Sequence, residues 1–206
     1  MKNHFLIYAV FLLMTPAQYS HSQRMEDYSG QVFPPNHALN APIDQLPVHP
    51  NSDNIIAGMG SSDNLHPDFG TEWNDEGTIR QIGIPYNIVD NEQALVPITF
   101  SPWGDESDPG PWPIPENPYI ETVSDWREPD DGDRHMLIIN RDSELLYECS
   151  NTRGNETGTE WTGNAGAIFN LTSNELRPET WTSADAAGLP IFPLLIRYDE
   201  VERAVA

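Results

Sequence analysis

Proline interrupts this chain so often that long helices have little room: 19 prolines and 14 glycines fall among 206 residues. Proline removes a backbone donor and clashes with the preceding helical turn, so such a chain is steered toward short strands and turns. The apolar residues agree. Residues 82–89 (IGIPYNIV), 93–100 (QALVPITF), 135–140 (HMLIIN), 144–151 (ELLYECSN) and 165–173 (AGAIFNLTS) are short runs rich in β-branched, aromatic and leucine side chains, bounded by turn formers. These features predict an all-β fold, a sandwich or jelly roll, with long Pro/Gly-rich loops. Pro85 and Pro97 inside two of the runs predict edge or bulged strands.

Met136 and Ile138 alternate with Leu137 and Ile139, so both faces of that strand are apolar and it is expected at the centre of a sheet, covered on both sides. Residues 194–198 are expected to form a last apolar strand. A single short helix is expected near residues 52–57, capped by Asn51 or Ser52. Residues 101–133 form a long acidic, proline-rich loop, and its Trp103, Trp112 and Trp126 argue for order in it.

Residues 1–22 read as a signal peptide: Lys2, a short apolar run at 5–14, then a polar stretch ending Ser-His-Ser before Gln23. The run is about half the roughly 20 residues a spanning helix needs, so no membrane span is expected after cleavage. Residues 23–50 are expected to be an extended N-terminal segment, and 51–206 a single β-rich domain. The formal charge of −22 excludes nucleic acid and anionic lipid as natural partners and suits a solvated exterior protein. Cys149 is the single cysteine, so no intrachain disulfide can form, and its strand setting predicts a buried small residue.

Four constellations carry candidate chemistry. His135, at the start of a central strand with Asp142 and Glu148 nearby in sequence, is a candidate acid or base. Asp185, in the small-residue run of residues 181–187 (WTSADAA), is a candidate carboxylate; paired with Glu148 or Asp142 it would resemble a glycosidase acid pair. Ser183 has no nucleophile elbow around it. Asp130, Asp131 and Asp133, spaced by Gly132, are oxygen ligands suited to Ca²⁺, though solvated acidic loops are the commoner use of such a run. Trp103, Trp112, Tyr119, Trp126 and Trp181 are candidate stacking surfaces for a sugar, or else plugs for the ends of the fold. Asn155 and Asn170 sit in N-glycosylation sequons.

Four blocks carry a resemblance: LPVHPNSD with the residues up to LHPDFGT, the DESDPGPWPIP loop, DRHMLIINRDSELLYE, and WTSADAAGLPIFPLLIRYDEV. Together they resemble a group of secreted bacterial proteins of uncharacterised function found beside or within carbohydrate-active polypeptides. The resemblance covers most of residues 40–201 and brings no established activity with it; the signal peptide predicts an exported protein, secreted or periplasmic, and the loop aromatics predict an extracellular glycan as its partner. The alternative is a non-catalytic structural or adhesive surface domain. In that group more β-structure follows RYDEV, so the resemblance also implies that C-terminal strands are lacking here.

Overall fold

The computed structural model describes residues 28, 32–63, 72–75, 77–81, 83–129 and 132–197. The expected signal peptide, Asp130, Asp131 and the C-terminal residues from 198 onward lie outside them. The expected short helix is present as α1 (Ser52–Met59), with Asn51 at its N-cap position and left-handed Gly60 closing it. None of its residues is buried.

The rest is mainly β. The strands are β1 (Glu72–Asp75), β2 (Thr78–Gln81), β3 (Tyr86–Val89), β4 (Ile98–Phe100), β5 (Met136–Asn140), β6 (Leu145–Cys149), β7 (Arg153–Gly154), β8 (Trp161–Gly163) and β9 (Gly166–Asn170). β1 and β2 pair as a separate antiparallel hairpin. A four-stranded mixed sheet runs in the order β3-β5-β6-β9, and a three-stranded one in the order β4-β8-β7. β3 joins β5 in parallel and β4 joins β8 in parallel; the other pairings in both sheets are antiparallel. Pro85 and Pro97 immediately precede β3 and β4, which are both edge strands, where a missing donor is tolerated.

All five residues of β5 are buried, so the central strand is covered on both faces as its alternation predicts. On one face Met136, Ile138, Tyr147 and Cys149 share a cluster with Ile98 and Trp161 of the smaller sheet. On the other, Leu137, Ile139, Leu146 and Phe169 are covered by Val32 and Phe33 from the N-terminal segment and by Phe192 from the C-terminal one. That N-terminal segment is folded rather than simply extended. Phe33 stacks on His37 at 4.2 Å, and the Asn40 amide donates to the Val32 carbonyl at 2.8 Å.

The last expected strand is corrected. Phe192–Leu194 is a 3₁₀ turn with proline in its first positions. Of the expected strand at 194–198, the described residues 194–197 lie in no strand, because the Leu194 and Leu195 amides are already spent on the Ile191 and Phe192 carbonyls. The long loop supplies Trp112, Ile114, Ile120 and Trp126 to the core, which fixes its described part from 101 to 129.

Candidate functional site

The register of the four-stranded sheet brings one set of chain ends together. Met136 pairs with Cys149 and Cys149 with Gly166, so His135, Ser150 and Ala165 emerge at the same sheet end. There they line a cleft of about 760 Å³, together with Trp103, Asp133, Asn151, Asn164, Asp185 and their neighbours.

Two turns at this end adopt left-handed backbone without glycine: Arg134 at φ 47° and Asn151 at φ 50°. Each such residue costs of the order of 1 kcal/mol and persists only where its surroundings enforce it. Arg134 is buried, and its guanidinium donates to the carbonyls of Thr152 at 3.0 Å, Glu128 at 3.1 Å and Trp126 at 2.8 Å. Asn151 donates its amide to the Asp133 carbonyl at 2.6 Å and its side chain to Asn164 at 3.1 Å. The strained corners therefore hold Asp133, Asn151 and Asn164 in place along the cleft.

His135 meets the Glu121 carboxylate through Nδ1 at 2.6 Å. Burial pulls its pKa down, but the Glu121 hydrogen bond and charge, a bond to the Ala184 backbone and the Asp133 charge together leave it raised. The imidazolium is thus the favoured form, and a cation held between such acceptors is ill suited to act as a base. Glu148 lies beneath, fully buried, and accepts from the Ile191 amide at 2.7 Å and the Phe192 amide at 2.8 Å. Desolvation pushes its pKa up to about 7 against those two donors and the His135 charge, with Asp185 adding to the rise. Cys149 is buried, bonded to the Thr152 hydroxyl, and desolvation pushes its thiol up to about 12, so it stays a thiol.

The cleft wall at residues 181–189 is built by its own hydrogen bonds. The Ser183 hydroxyl accepts from the Asp185 amide at 3.0 Å and faces the Asp185 and Leu189 carbonyls at 2.7 Å each. Ser183 is therefore a turn-former and no free nucleophile. Gly188, at φ 72°, completes the turn, and a Cβ there would sit 2.5 Å from the Trp181 carbonyl. Arg177 anchors the segment to the long loop: it donates to the Thr182 carbonyl at 2.9 Å and the Glu106 carbonyl at 2.6 Å and pairs with Asp108.

Of the residues singled out in the sequence, the cleft gathers His135, Asp185, Asp133 and Trp103, whose indole is 46% exposed. Asp142 belongs elsewhere. It sits in the β5–β6 turn and ties it to the loop after β3, accepting from the Asn91 amide at 3.1 Å, about 20 Å along the strand from His135. Glu148 is a buried clamp beneath the cleft and not part of its lining. Trp112, at 0% exposure, and Trp126, at 5%, are core residues, which corrects their assignment as stacking surfaces. Tyr119 is exposed but away from the cleft, and Trp181 is half-buried under the Arg177 guanidinium at 5.6 Å. Asp133 is the one described member of the expected Ca²⁺ trio, and no group of three or more such donors converges among the described residues. Glu121, Asn151 and Asn164 were not singled out; an acid before a strained turn and two loop asparagines carry no spacing signal, and only the sheet register places them. Among the described residues no helix is long and apolar enough to cross a membrane. Set against protein-family models, curated proteins and solved structures, the chain matches none of them.

Proposed function

We propose that this chain is an exported protein that binds an extracellular carbohydrate in the cleft at the end of its central sheet. The observation that carries the proposal is the exposed Trp103 ring on a cleft that also offers the Asn151–Asn164 amide pair, Asp133 and Asp185. Indole faces pack against the apolar faces of sugars, while amides and carboxylates satisfy hydroxyls, and few other ligand classes need both. The two sheets, sharing one core cluster, are taken as a sandwich whose rim carries the site.

Binding without hydrolysis is favoured. His135 is engaged by Glu121 and the Ala184 backbone, and Ser183 is consumed by its turn. The test is a glycan array on the folded chain, followed by titration of the best ligand. Trp103→Ala should abolish saturable binding and leave the melting temperature within about 1 °C, because an exposed side chain contributes little to stability. Binding that survives Trp103→Ala, or a folded chain that binds no saccharide, would remove the proposal.

A further inference from the structure

The ionisable groups along the cleft are unevenly matched. Among its described lining residues there is no lysine or arginine; the charged side chains are Asp133, His135 and Asp185. His135 is already neutralised by Glu121, which itself lies outside the lining. The Asp133 and Asp185 carboxylates come from two separate segments, and among the described residues neither has a hydrogen-bond partner or a salt bridge. Both fields reach the site's interior: Asp133 acts on His135 and Asp185 on Glu148. Trp103 adds an exposed aromatic face, which attracts a cation as readily as it stacks on a sugar ring.

We infer that the saccharide bound here carries free amines: an amino-sugar oligomer that is not N-acetylated, its ammonium groups set against Asp133 and Asp185 and its ring against Trp103. The inference rests on the carbohydrate reading above and narrows it. Anionic saccharides are disfavoured twice, by the two carboxylates in the cleft and by the −22 charge of the whole chain, which repels anions and draws cations toward the surface.

The experiment is calorimetric titration of the full chain with two probes of equal length and linkage: glucosamine oligomers and N-acetylglucosamine oligomers. The amine form should bind about tenfold or more tightly, the scale of a charged hydrogen bond gained without a compensating loss. Added salt should shrink that preference. The double variant Asp133→Asn, Asp185→Asn, checked for an unchanged melt, should lose the preference, because affinity for the amine probe falls by more than affinity for the acetylated one. That variant alters the net charge only from −22 to −20, so loss of the preference would locate it in the cleft. Equal affinities, or tighter binding of the acetylated probe, overturn the amine inference and leave the carbohydrate reading standing. A preference that survives in the double variant overturns the assignment to Asp133 and Asp185. No binding of either probe overturns this inference; if a wider saccharide panel is silent as well, the carbohydrate reading falls with it.

Discussion

Glu148 sits in the middle of the molecule's best-paired strand, with its carboxylate removed from water and held by two backbone amides. Its pKa is pushed up from 4.5 to about 7, so the folded chain holds this proton more tightly than the unfolded chain does. The stabilising contribution is complete below pH 4.5 and is lost as pH rises through about 7. His135, raised above 6.5, acts in the same sense: its contribution is complete below 6.5 and disappears as pH climbs through the folded value. The melting temperature should therefore fall as pH rises from 4.5 through about 7, and Glu148→Gln, which cannot titrate, should flatten part of that fall in scanning calorimetry. A steeper slope in the variant would show that Glu148 is not the group responsible. A second residue-scale contrast concerns the tryptophans. Trp112→Ala empties a fully buried site and should cost about 3–5 kcal/mol, whereas Trp103→Ala should cost almost nothing in the same denaturant titration. Trp103 and Trp112 lie nine positions apart in one acidic, proline-rich loop, with nearly the same local composition. Nothing local distinguishes them. Contact with Phe100 and Tyr147, residues distant in sequence or across the fold, turns one into core.

At the scale of the elements, legibility follows how local the deciding interactions are. β5 and β6 form a hairpin across four intervening residues, and their apolar alternation states which faces are buried before any partner is known. The expected strand at 194–198 misleads for the opposite reason. Its apolar residues suit a strand, but Leu194 and Leu195 close a turn on Ile191 and Phe192, whose amides answer to Glu148, 43 and 44 positions away. The cleft wall shows the same dependence on distant partners. Arg177 holds the wall's Thr182 carbonyl and joins it to the 104–108 turn through Asp108 and the Glu106 carbonyl, while its side chain is almost wholly buried. Arg177→Met keeps the aliphatic stem and strands those acceptors, so it should cost about 3–5 kcal/mol in urea unfolding. It should also weaken ligand binding, because Thr182 and its neighbours lose their anchor. A stability change below about 0.5 kcal/mol would mean the network is ornamental. Gly166 shows how tightly these elements fit: a Cβ there would meet Phe100 at 2.3 Å and Trp112 at 2.8 Å, so β9 crosses under the aromatic cluster only as glycine.

For the whole molecule the controlling facts are charge and connectivity. With a formal charge of −22, the folded chain works against its own repulsion, which salt screens. Raising sodium chloride from about 20 mM to 500 mM should lift the melting temperature by several degrees, measurable by differential scanning fluorimetry, and a fall would contradict that account. Connectivity is likewise demanding. β3 meets β5 only after a span from Tyr86 to Leu137, and β4 meets β8 from Ile98 to Trp161, both in parallel. Such distant pairings close slowly. The C-terminal turn adds a condition in time. Phe192 seals the lower face of the sheet, and its amide together with that of Ile191 supplies the donors Glu148 requires. During synthesis, a nascent chain ending before residue 191 holds every strand of both sheets yet leaves that face covered only from the N-terminal side, and an acid facing it without donors. Each newly made molecule must then wait, nearly complete and still open, for two backbone amides to arrive before its hub can close.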